Sequence, residues 1–126
     1  MKLLVDTHVL LWAINEPRRI PLAVGRAMGS ADNEAFVSVV CLWEIAIKKK
    51  LGKLSAPDDL PERVERHRDF RLLAITAAHA WRVRTLPSYH RDPFDQLLVA
   101  QALAEQMTVV THDRTISRYG VPVLAV

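Results

Sequence analysis

One stretch limits the possible folds more than any other: Asp92 to Asp113, DPFDQLLVAQALAEQMTVVTHD. Pro93 suits the first position of a helix, where its missing N–H costs nothing, and Asp92 suits the N-cap before it. Leu97, Leu98, Val99, Ala100, Ala102, Leu103 and Ala104 supply a broad apolar surface, interrupted by Gln96 and Gln101. Gln106 begins a turn, and the β-branched run Met107 to Thr111 predicts a buried strand. A helix of about twelve residues rises roughly 18 Å, and a strand of about five returns roughly 17 Å. The lengths nearly match, so Asp95 at the helix start and Asp113 past the strand end are expected at one level of the fold.

The rest of the chain repeats the alternation. Lys2 to Val5 reads as a short central strand buried on both faces. Val9 to Ile14 follows as a helix. Pro17 and Pro21 bracket a loop, and Leu22 to Ala31 reads as a second helix. Glu34 to Val37 predicts a strand. Ser38 suits the cap of a helix from Val39 to about Leu51, with Gly52 just past its end. Leu60 to Arg68 predicts a polar helix and Arg71 to Ile75 a third strand. Thr76 suits the cap of a helix through Arg84. Leu86 to Arg91 is a loop, Arg114 to Arg118 one further turn, and Val121 to Val126 a last strand or edge. The alternation predicts an α/β fold with a mainly parallel sheet covered by helices on both faces, in a single domain over residues 1–126. In such sheets the functional crevice lies beyond the carboxyl ends of the strands.

Composition narrows the class. The 126 residues are half hydrophobic and a quarter charged, which excludes a disordered chain and allows one sizeable core. A single cysteine, Cys41, excludes an internal disulfide and fits a reducing cytoplasm; its apolar neighbours make it a small core residue. Asp6 and His8 interrupt the first apolar run, which is too short and too polar for a membrane span or secretory signal. The net charge of +3 is compatible with a polyanionic partner.

Four acids converge if that topology holds. Asp6 closes the first strand, Glu44 lies a turn and a half into the helix after the second, Asp95 sits in the first turn of its helix, and Asp113 follows its strand. Each has an ordinary structural alternative. Asp6, Asp92 and Asp113 suit helix caps, and Asp95 suits the third position of a capping box. A shared site explains all four at once. Two carboxylates about 4 Å apart repel by roughly 4 kcal/mol at an effective dielectric of about 20, so protonation or a divalent cation is needed. Oxygen ligands, with no His or Cys pair at ligand spacing, favour Mg²⁺ or Mn²⁺ over zinc. A hard cation so held suits phosphodiester hydrolysis, with one carboxylate available as general base.

The motifs V-D-T at Val5 to Thr7, W-E at Trp43-Glu44, R-D-P-F-D-Q-L-L-V-A-Q-A from Arg91 to Ala102 and T-H-D at Thr111 to Asp113 resemble the PIN-domain ribonucleases, and among them the VapC toxins of type II toxin–antitoxin modules. The resemblance covers nearly the whole chain, and the stretch from Asp92 is its most specific part. It implies a doubly wound, five-stranded, mainly parallel sheet flanked by helices, Mg²⁺- or Mn²⁺-dependent cleavage of RNA, a homodimer, and inhibition by a cognate antitoxin. By position it makes Asp6, Glu44, Asp95 and Asp113 the catalytic and metal-binding acids, with Thr7, Thr111 and Asp92 around the metal.

RNA requires cations beyond the metal. Arg91 and Arg114 adjoin the acidic edge, and Lys48, Lys49, Lys50 and Lys53 crowd one helix end, where they also complement the dipole. His90 and His112 flank the site, more simply as supporting or surface groups. Trp12, Trp43 and Trp81 suit packing more often than base stacking. Two other readings stay open: a catalytically inactive PIN-fold binding module, and a receiver-like signalling domain. The second lacks an acidic pair after the first strand and any Lys after Lys53.

Overall fold

The computed structural model describes residues 1–126. Its elements follow in the order β1 (Lys2–Val5), α1 (Thr7–Asn15), a 3₁₀ turn (Pro17–Arg19), α2 (Leu22–Gly29), β2 (Glu34–Ser38), α3 (Val39–Lys50), α4 (Leu60–Arg66), β3 (Phe70–Leu73), α5 (Ala77–Arg82), a 3₁₀ turn (Val83–Thr85), α6 (Pro93–Glu105), β4 (Thr108–Thr111), a 3₁₀ turn (Arg114–Tyr119) and β5 (Val123–Ala125). The sheet order is β3-β2-β1-β4-β5, and every pairing is parallel. The expected doubly wound α/β sheet is therefore present, and it is parallel throughout.

Leu3, Leu4 and Val5 are all fully buried. Successive strand side chains point to opposite faces, so both faces of β1 are covered. Val109 and Val110 of β4 and Val37 of β2 are equally buried. They join Val9, Leu10, Val40, Leu98 and Val99 from three helices in one core. No helix is long and apolar enough to cross a membrane.

The ends of several elements differ from the sequence expectations. The third strand starts at Phe70, whose side chain is buried against the core, and stops at Leu73 rather than Ile75. The helix after Thr76 stays α-helical only to Arg82 and then tightens into 3₁₀ geometry. Pro17, placed in a loop by sequence, opens a 3₁₀ turn instead. The last strand shrinks to three residues because Gly120 takes a left-handed conformation with φ 82° and Pro122 offers no N–H to the ladder.

Register positions the site. Val5 pairs with Val37 on one side and Val110 on the other. The residues one step on, Asp6, Ser38 and Thr111, therefore stand side by side at the carboxyl edge, and the Asp6 N–H donates to the Val110 carbonyl at 3.1 Å. The strand order reverses between β1 and β4, so Asp6 and Thr111 flank the switch point where such sheets bind ligands.

Candidate active site

A cavity of about 380 Å³ opens at this edge, lined by Asp6, Thr7, Glu44, Asp92, Asp95 and Asp113 together with Lys48 and Arg114. The acids predicted from sequence thus share one cavity, though they come from four separate elements. Each is held differently. Asp6 caps α1: its Oδ1 accepts from the Val9 N–H at 2.9 Å, and its Oδ2 accepts from the Thr111 hydroxyl. Burial drives its carboxyl above the usual range, against those two hydrogen bonds and nearby imidazoles. Glu44 is buried, accepting from the Thr7 hydroxyl at 2.6 Å and from the Lys48 ammonium one turn along α3.

Asp113 caps the 3₁₀ turn after β4 through the Thr115 N–H at 2.9 Å, and its other oxygen meets His90 Nε2 at 2.7 Å. Burial pushes this carboxyl up, but the His90 and Thr115 hydrogen bonds and the His90 charge outweigh it and leave it lowered. The His90 backbone N–H donates to the Tyr119 hydroxyl at 2.9 Å, and that hydroxyl lies 2.8 Å from His90 Nδ1. The Tyr119 hydroxyl and Asp113 thus hold the two ring nitrogens of His90, with Nε2 facing the carboxylate.

Asp95 differs from the other three. It lies in the first turn of α6, and its carboxylate accepts no hydrogen bond from the chain, so the capping-box role does not occur. Asp92 takes the cap, accepting from the Phe94 N–H at 2.8 Å. Burial first, then the like charges of Asp92, Glu44 and Asp113, push Asp95 up to about 6, with only His90 acting against them. No three His, Cys, Asp or Glu side chains stand in metal-holding geometry. The acids surround one space but are tied to separate partners, so they are a set of donors rather than a closed cage. Chemically the set suits a hard dication: its donors are oxygens, and its surplus negative charge falls on the one carboxylate with no hydrogen bond.

The remaining predicted residues divide. Thr7 lines the cavity, whereas Thr111 acts from behind by holding Asp6. Lys48 and Arg114 line it; Lys48 is held protonated by its contact with Glu44, against partial burial, rather than being a solvated helix end. Lys49 lies outside it, bound to the Ala56 carbonyl and to Asp58, and Arg91 is exposed on the preceding loop. Sequence reasoning missed His8, which lines the cavity. Its place two residues after Asp6, on the first turn of α1, was the available signal. The ties from His90 to Asp113 and Tyr119 span 23 and 29 residues and left no local signal.

Residues 3–122 match the model of the PIN domain. The chain belongs to the PIN domain family. This PIN domain is 32% identical over 127 aligned residues to ribonuclease VapC22 of Mycobacterium tuberculosis, spanning 94% of this chain and 92% of that protein. Among solved structures its fold resembles VapBC2 from Rickettsia felis bound to a DNA fragment from their promoter, with a TM-score of 0.74, 16% identity and coverage of 99% and 98% of the two chains. It also resembles a toxin–antitoxin complex from Klebsiella pneumoniae, with a TM-score of 0.63, 18% identity and coverage of 97% and 95%. At those identities the two structures speak for the fold alone.

Proposed function

We propose that this PIN domain is a Mg²⁺- or Mn²⁺-dependent endoribonuclease that hydrolyses phosphodiester bonds of RNA, and that it is the toxin of a type II toxin–antitoxin module. The observation that carries the reading is the cavity at the switch point, where Asp6, Glu44, Asp95 and Asp113 meet from four elements. The relationship to a ribonuclease along nearly the whole chain supports it. The entire span 1–126 is taken as the working domain.

Asp6, Asp95 and Asp113 would hold the cation, with Glu44 completing the set and Thr7, Thr111 and Asp92 fixing the surroundings. A bound Mg²⁺ or Mn²⁺ polarises a phosphoryl oxygen and eases deprotonation of water near neutral pH. The chain's own contribution is orientation. Thr111 and the Val9 N–H lock Asp6, Thr7 and Lys48 lock Glu44, and His90 locks Asp113. Asp95 supplies the carboxylate that can still swing. Arg114 and Lys48 put positive charge at the cavity for the RNA backbone, and Arg91 extends it along the loop before α6. Lys49 lies outside the cavity, paired with Asp58 on the surface. A cognate antitoxin inhibits the enzyme, the working form is a homodimer, and the site of action is the cytoplasm.

Asp6→Asn tests the reading, because asparagine also caps a helix and the fold should survive. Mg²⁺-dependent RNA cleavage should fall by at least about a hundredfold, with an unchanged circular dichroism spectrum. Full residual cleavage would refute a nuclease centred on these acids. Absence of turnover on any RNA by the unmodified protein would favour a binding module.

A further inference from the structure

Two histidines adjoin the acids of the central strands. His8 lies one place beyond Thr7 in α1, and His112 lies between Thr111 and Asp113. Both are exposed and both line the cavity. Their rings meet edge to face, with centroids 5.1 Å apart at 80°. Trp12, one turn along α1 from His8, stands against both, 5.4 Å from His112 and 6.4 Å from His8. Trp12 is half-buried against the core, and the Arg19 guanidinium lies 4.3 Å over its ring. His90 and His79 have both ring nitrogens in contact with polar groups. No hydrogen bond reaches the ring nitrogens of His8 or His112, and both side chains are exposed. Trp43 also packs edge-on to Phe94, but it does not line the cavity.

We propose that His8 and His112, backed by Trp12, form a ledge that binds the nucleobase next to the scissile phosphate of single-stranded RNA. The proposal rests on the ribonuclease reading and adds how the substrate is seated. A phosphate drawn to the acids brings its own nucleotide to the cavity wall, and this wall offers aromatic faces. Unpaired bases are held in this way, by stacking on aromatic and His rings and by hydrogen bonds to their edges. Arg114, which lines the cavity, and Arg19, which lies over Trp12, supply charge for the flanking backbone. A ledge of this kind reads a base while the acids handle a phosphate common to all nucleotides, so it is where sequence preference originates.

The test compares wild type with His8→Ala, His112→Ala and His112→Phe. Cleavage of a short mixed-sequence RNA is followed with Mg²⁺, and binding by fluorescence anisotropy with Ca²⁺ in its place. Binding is repeated with an abasic ribose–phosphate oligomer of the same length. Each alanine variant should weaken binding of the RNA by about tenfold, with the loss in KM larger than that in kcat. The abasic oligomer should bind wild type and variants alike, and His112→Phe should recover binding because it keeps a ring. Equal losses on both oligomers would show that only charge was removed, and no loss on either would show that bases bind elsewhere; each overturns the ledge while leaving the nuclease intact. A wild type that neither binds nor cleaves RNA overturns both readings together.

Discussion

Asp95 is the residue at which the chemistry of this site is most exposed. Its carboxyl is pushed up to about 6 from its ordinary 3.8 by burial and by neighbouring acids. For an acid whose folded value is raised, the stabilising contribution is complete below the unfolded value and is lost as pH rises through the folded one. Metal-free protein should therefore lose stability between about pH 4 and pH 6 through this group. A displacement of that size corresponds to about 3 kcal/mol for a fully sheltered group. Solvent at half-buried Asp95 screens it to about 1 kcal/mol. Asp95→Asn should raise the melting temperature in EDTA at pH 7, and the gain should vanish near pH 4. Sequence alone named the residue but not its state. The motif around Pro93 placed it at a helix start, whereas its lack of any hydrogen-bond partner is a matter of side-chain geometry that no local pattern records.

At the scale of elements, α6 joins the site to the body of the fold. Gln101 is fully buried in its middle, against the Ser38 hydroxyl that caps α3, the Ala74 carbonyl at 3.3 Å and His79 Nδ1 at 3.2 Å. The Thr76 N–H also donates to that Nδ1, so the imidazole proton lies on Nε2 and points to Glu105 at 3.0 Å. Gln101→Leu removes the shared partner of three polar groups and should destabilise by about 1–3 kcal/mol, measured by urea unfolding. The helix ends at Gln106, a non-glycine residue with φ 56°. Gln106→Gly should stabilise by about 0.5–1 kcal/mol by relieving that conformation, a rise of a few degrees in melting temperature. Such devices explain which parts of the fold were legible. Caps at Ser38, Thr76 and Asp92 were visible because Ser, Thr and Asp precede apolar runs. Gln101 read only as an interruption of an apolar face, since its partners lie up to 63 residues away. The third strand was displaced because Phe70 follows polar His67–Asp69, and its burial comes from the core it meets rather than from local pattern.

For the whole molecule, the acids at the switch point should make stability depend on divalent cations. A cation that binds only the folded state at about a hundred times its Kd adds about 2.7 kcal/mol. Mg²⁺ or Mn²⁺ should thus raise the melting temperature of the wild type, EDTA should reverse the rise, and Asp6→Asn should respond much less. The architecture and the four acids could be read from sequence because strand–helix alternation fixes which ends share an edge. The ligation of each acid could not, because it depends on side-chain contacts across that edge.

The bond from Thr111 to Asp6 joins positions 105 residues apart. Synthesis proceeds from the amino end, so β1 and its aspartate leave the ribosome long before β4 exists. A nascent polypeptide consequently has no assembled centre until its final segment emerges. Any activity that needs these acids held together therefore cannot begin before translation is all but finished.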